Sequence, residues 1–228
     1  MDCSLANSEY KIVVFGVGNI AVGILDHIIS ASITGVNFVA VDTKSGALEE
    51  SLASQKILID SEDGVLSHDI QEVHHAVIKN IELFKAATRK SYMVIIVAHV
   101  GEVTASVAAP VIARAVLELG VWPIGVIARP SLFEGKKRRR RAQESIAKLD
   151  ELLDNLTILN SDGIEPLYIV PRTTVHVDPF IRLTEMTFSA VQGIVGHYHK
   201  ALASTEWRRQ RSKARWTTPE RVPDKKLL

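Results

Sequence analysis

The chain's 228 residues, 46% hydrophobic and 23% charged, have the length and balance of an ordinary globular protein with one substantial core. No apolar run reaches the roughly 18–20 residues of a membrane span, and the polar start lacks a secretory layout. The lone Cys3 excludes an internal disulfide or multi-cysteine metal site, so a cytoplasmic protein is expected. The net charge of +1 hides an asymmetry, because residues 201–228 carry eight Lys/Arg against three Asp/Glu and leave residues 1–200 mildly acidic.

In chain order, residues 1–10 read as a flexible N-terminus. Lys11–Phe15 is the first of four short Val/Ile-rich runs, with Val36–Val41, Met93–Ala98 and Gly125–Ala128. Each is almost continuously apolar, the pattern of a parallel strand covered on both faces. Helical spacing fills the intervals. In His68–Ala87 the apolar positions Ile70, Val73, Val77, Ile81 and Phe84 recur at steps of three and four, with Ser67 or Asp69 as the cap. Val111–Leu119 reads as a helix closed by Gly120, and Lys137–Leu153 as another with Ile146, Leu149, Leu152 and Leu153 inward. Asn160–Pro179 reads as a long loop with a short strand at Leu167–Val170, and Phe180–Lys200 as helix. Residues 201–228 show no amphipathic period and are expected to be disordered. The fold class is therefore α/β, a parallel sheet flanked by helices.

Two glycine segments carry chemistry. Phe15-Gly-Val-Gly-Asn19 follows the first strand and opens a helix, where free N–H groups suit a phosphate. Gly16 and Gly18 alone do not distinguish families. Ala21 in place of a third glycine, with Asp42 ending the second strand, also fits a dinucleotide enzyme of the NAD type. The second segment, His99-Val-Gly-Glu-Val-Thr-Ala-Ser-Val-Ala-Ala-Pro110, again links a buried strand to a helix.

That second segment resembles the signature loop of the tubulin/FtsZ family, GMGGGTGTGAAP, through Gly101, Thr104 and Ala108-Ala109-Pro110. Arg129-Pro-Ser-Leu-Phe-Glu-Gly-Lys-Lys-Arg138 is similar to the FtsZ segment KPFNFEGKKR. Ala190-Val-Gln-Gly-Ile194 resembles the end of the FtsZ central helix, and Gly35–Thr43 its second strand and following loop. The similarity is collinear over about residues 11–200. It implies the Rossmann-like FtsZ/tubulin GTPase-domain fold, with residues 11–200 as one nucleotide-binding-type domain and without the C-terminal domain.

What the resemblance implies for the site is uneven. Gly16, Gly18, Gly101 and Thr104 match phosphate-side positions. Glu134, Arg138, Phe180 and Glu185 match the nucleoside side, with Phe180 packing on guanine and Glu185 reading the base. Against this, Ile20 and Val22 crowd the first loop, while Glu102, Val103 and Ala105 replace signature glycines. A carboxylate beside a phosphate repels it unless a metal or Lys neutralises it; Lys44 either pairs with Glu102, closing the pocket, or is simply solvated. The stretch Asp63–His68 lacks the family's third glycine-rich loop, and Ser161 replaces a family Asn. The acids of the hydrolytic loop are missing after Lys200, so no catalytic residue is assigned.

The expectation is thus a degenerate FtsZ-like cell-division or cytoskeletal protein, a pseudo-GTPase acting by protein–protein contact. Two alternatives stay open: a GTP- or GDP-binding protein that assembles weakly, and a dinucleotide-binding Rossmann enzyme. No cofactor is required, though GTP or GDP remains possible. The expected partner is an FtsZ-like or tubulin-like protein, or the chain itself. Arg208, Arg209, Arg211, Lys213 and Arg215 between Trp207 and Trp216 suit an acidic partner or an anionic membrane surface, or merely aid solubility; nucleic acid is not expected. The six cations Lys136–Arg141 fit either an anionic surface or a solvated helix start. His74-His75 and His197/His199 diverge on their helices, so no metal site is assigned.

Overall fold

The computed structural model describes residues 11–60, 69–160 and 179–203. Six strands form one sheet in the order β3-β2-β1-β4-β5-β6, every neighbour pairing parallel. They are β1 (Lys11–Val17), β2 (Val36–Asp42), β3 (Gln55–Leu58), β4 (Ser91–His99), β5 (Trp122–Arg129) and β6 (Leu156–Asn160). Helices α1 (Asn19–Ser30), α2 (Ser45–Glu50), α3 (Ile70–Lys79), α4 (Ile81–Thr88), α5 (Val103–Glu118), α6 (Lys136–Asp150) and α7 (Pro179–Ala203) occupy the crossovers and the C-terminal end.

The strands form where β-branched residues run without interruption, and the pleat sorts them between two layers. Val13, Phe15 and Val17 of β1, with Val94, Ile96 and Ala98 of β4, join α3, α4, α5 and α6 in one core cluster. The alternate residues face α1, whose Ile24, Leu25 and Ile28 are fully buried. On that side the first half of α7 meets α1, the His27 and Phe188 rings standing edge to face at 6.3 Å. No helix among the described residues is long and apolar enough to cross a membrane.

Several boundaries differ from the periodicity. The helix expected over His68–Ala87 is two helices separated at Asn80, whose backbone leaves helical geometry (ψ 8°) while its side-chain amide donates to the Ala76 carbonyl. Asp69 is the cap, accepting from Gln71 and Glu72. α5 begins at Val103, eight residues before the expected Val111, and contains Pro110. Burial of Ala105–Pro110 against the core offsets the one N–H that proline withholds. Gly120 follows α5 at φ 69°, the left-handed end expected of it. β3, α2 and β6 were not anticipated, since short half-exposed segments leave little pattern. The expected loop Asn160–Pro179 with its strand Leu167–Val170, Asp63–His68, Ser161, the basic tail and residues 1–10 lie almost wholly outside the described residues.

By contact the chain divides into two compact units, Met1–Val191 and Gln192–Leu228. The described part of the second, Gln192–Ala203, is helical throughout.

Candidate phosphate cradle

The strand order reverses direction between β1 and β4, and in open parallel sheets the crevice beyond that switch point is where ligands bind. Four connections meet there, those after β1, β2, β4 and β5.

Gly18 ends the β1 connection and caps α1 at φ 88°, its amide donating to Val41 O at 2.8 Å. That conformation leaves the first-turn N–H groups of α1 open to an acceptor. The acceptor facing them is a side chain. A β-carbon at Gly18 would stand 2.8 Å from Glu102 Oε2 and 3.1 Å from the Ala105 methyl. Glu102 therefore points into the cradle, at the positive end of α1. Burial pushes its carboxyl above the usual range, the Ile20 backbone amide opposes this, and the nearby Asp42 pushes it up again.

Asp42 lies at the same end of the sheet and is 2% exposed. Its Oδ1 accepts from the amides of Thr43 (2.6 Å) and Lys44 (3.1 Å), whereas Oδ2 has no hydrogen-bond partner. Burial raises its pKa as well, against those two amides. Glu102 Oε2 is likewise buried without a partner. Of the two readings of Lys44, the ion pair with Glu102 is not formed; Lys44 only weakly favours the charged form of Glu102 from a distance. The Lys44 amide donates to Asp42 at the start of α2, and the backbone partner of the Glu102 carboxylate is Ile20 of α1. Val22, expected with Ile20 to obstruct the loop, is buried at 2% exposure, and the atoms nearest a side chain at Gly18 belong to Glu102 and Ala105.

The remaining residues sort into four groups. Gly18, Gly101 and Thr104 are brought together: the Thr104 and Thr43 hydroxyls hydrogen-bond at 2.9 Å, and Gly101 turns at φ 123° with its missing side chain filled by Pro130. Gly16 serves packing instead, since a β-carbon there would lie 3.0 Å from both Ala21 O and Leu25 Cδ2. Glu134 and Arg138 pair with each other at 2.9 Å. Glu134 also accepts from the Ser131 amide as the acid of a capping box. At the outer edge, Phe180 is half-exposed and would touch a side chain at Gly23, while Glu185 is exposed on α7.

Two contacts escape a reading of the sequence. Arg141, one of the six cations, turns inward and donates to the Gly101 carbonyl at 2.7 Å, tying α6 to the loop after β4. His99, 3% exposed at the end of β4, places Nε2 3.8 Å from Glu134 Oε1. Burial lowers its pKa, with Glu134 opposing and Arg138 adding to the drop. The position of Arg141 in the run, one turn after Lys137, was the only available signal. His74 and His75 are both exposed on α3.

Residues 11–167 match the family model for the Tubulin/FtsZ family, GTPase domain. The chain is 31% identical over 186 residues to the cell division protein FtsZ of Rickettsia felis, covering 80% of this chain and 41% of that protein. It is 33% identical over 184 residues to the FtsZ of Buchnera aphidicola subsp. Acyrthosiphon pisum, covering 79% and 47%. It thus spans less than half the length of these relatives. Among solved structures, an empty FtsZ dimer from M. jannaschii superposes with a TM-score of 0.73 at 28% identity, over 84% of this chain and 56% of that one. A GTPγS-bound CetZ2 protofilament from Haloferax volcanii shares the fold at a TM-score of 0.68 and 18% identity, over 81% and 58%. With the family model matched over well more than half its length, on a sheet of the same fold, this chain belongs to the tubulin/FtsZ family, GTPase domain.

Proposed function

We propose that this chain is a tubulin/FtsZ-type domain whose phosphate cradle is closed by its own carboxylate, and that it acts by protein–protein contact rather than by hydrolysing GTP. The observation that carries the reading is Glu102 at the N-terminus of α1, 2.8 Å from where a Gly18 side chain would begin. A tethered anion there competes with any phosphate for the same amides. At an effective dielectric near 20, a second negative charge about 4 Å away costs about 4 kcal/mol. That is roughly three decades of affinity. Asp42 adds to the repulsion, and Ala105 narrows the approach.

In this reading the Glu134–Arg138 pair and the half-exposed Phe180 stand at positions that match the nucleoside side of the family site. A nucleoside-side outline beside a blocked phosphate end suits a domain used for its shape. The partner in this reading is an FtsZ-like or tubulin-like protein, or a second copy, as the M. jannaschii relative forms a dimer. It places the chain in cell division or the cytoskeleton.

Isothermal titration with GTP, GDP and NAD tests the reading. No ligand should bind tighter than about 10 μM, roughly −7 kcal/mol. Glu102→Gly should bind GTP at least about tenfold more tightly than the parent. GTP binding by the parent below about 10 μM overturns the closed cradle. Tight NAD binding points instead to a dinucleotide enzyme. For the partner, sedimentation of an assembling FtsZ with equimolar amounts of this chain should show altered polymer mass. An unchanged pellet, with no self-assembly by light scattering, counts against that part.

A further inference from the structure

A second concavity lies away from the cradle, between the start of α6 and the strand β6 that ends the sheet of described strands. It is a groove of about 580 Å³ with Lys136, Arg139 and Arg140 on its rim and Leu132, Ile146 and Ile158 among its apolar lining. Leu132 and Ile158 are 54% and 44% exposed. Both line the same groove, so the exposed apolar side chains are grouped rather than scattered.

The charge here runs against local stability. α6 has no acid in its first turn, and its six cations crowd the positive end of the helix dipole. Helix geometry divides them. Arg141 goes inward to Gly101 and Arg138 goes to Glu134, while positions 136, 139 and 140, three and four apart, share one side. Arg140 is held in place through Nε by Glu144 at 2.9 Å, which leaves its remaining donors for an outside acceptor. Arg139 Nε is buried without a hydrogen-bond partner. The exposed Lys136 and Arg140, with the positive charge of Arg139 behind them, suit carboxylates or phosphates. Among the described residues the groove's apolar lining is aliphatic, with no aromatic ring on which a base could stack, which favours a peptide.

We propose that this groove is a docking site for an extended acidic peptide segment of a partner protein. Carboxylates engage Lys136, Arg139 and Arg140, and one apolar side chain settles against Leu132, Ile146 and Ile158. The site is independent of the reading of the cradle, so either can fail alone.

The test is fluorescence anisotropy of a short labelled peptide of Glu-Glu-Leu repeats with the full chain. The double reversal Lys136→Glu/Arg140→Glu should weaken binding at least about tenfold, and Ile158→Ser should weaken it several-fold. Both replaced cations are exposed, so the fold is retained. The charge-matched control Lys56→Glu/Arg114→Glu, at exposed positions elsewhere, should bind like the parent. Parent-like binding by the groove variant assigns the peptide to another surface, such as the basic tail, and overturns the proposal. So does equal loss in the control, which would mean net charge alone. Poly-glutamate binding as tightly as the Leu-containing peptide removes the apolar half. Tighter, groove-dependent binding of a single-stranded oligonucleotide replaces the peptide with nucleic acid.

Discussion

At residue scale, Glu102 and Asp42 set the chemistry of the cradle. Both have folded-state pKa values raised by burial above their ordinary 4.5 and 3.8. The folded state therefore binds protons more readily than the unfolded chain in the window above those ordinary values. Stability falls as pH rises through that window and is restored as pH drops back toward it. Glu102→Gln keeps the shape and removes one charge. It should be more stable than the parent by roughly 1–2 kcal/mol at pH 8 and about equal at pH 4, measured by urea unfolding. A parent with flat stability over that range would place Glu102 in water. That a carboxylate replaces a signature glycine was legible in the sequence. Its direction was not, because it depends on α5 starting at Val103 with Glu102 just ahead of the first turn.

At the scale of elements, α6 shows how a charge run hides distinct roles. Six like residues look interchangeable in sequence, and only helix geometry separates them. Arg141→Ala removes a charged donor from the Gly101 carbonyl and should cost about 1.5–3 kcal/mol by chemical denaturation. Arg140→Ala loses only an exposed pair with Glu144 and should cost no more than about 0.5 kcal/mol. Equal losses would mean that the inward contact is not holding the loop. Strongly apolar elements announced themselves, as β1, β2, β4 and β5 did. The break at Asn80 and the early start of α5 did not. In the first a buried face continues across two helices, and in the second tertiary burial overrides the usual effect of Pro110.

At the scale of the molecule, alternation of strands and helices gave the α/β class, while the strand order β3-β2-β1-β4-β5-β6 is read from the structure alone. Periodicity carries no information on which parallel strands are neighbours. The core those strands share is close-packed around Phe15 and Phe84, both wholly buried, with rings edge to face at 6.5 Å. Phe84→Ala should cost about 3–5 kcal/mol and Phe84→Leu distinctly less, read from thermal or urea unfolding. A loss below about 1 kcal/mol would show that α4 is not part of the cooperative core. The central place of β1 also governs how the chain is made. Its first residues align with Val36 on one side but with Met93 on the other, roughly eighty positions later. A ribosome releases β1 long before β4 exists, so the most apolar strand waits with one edge open. Until residue 99 has emerged, the growing chain has no sheet centre, and nascent fragments ending short of it are the species chaperones must hold.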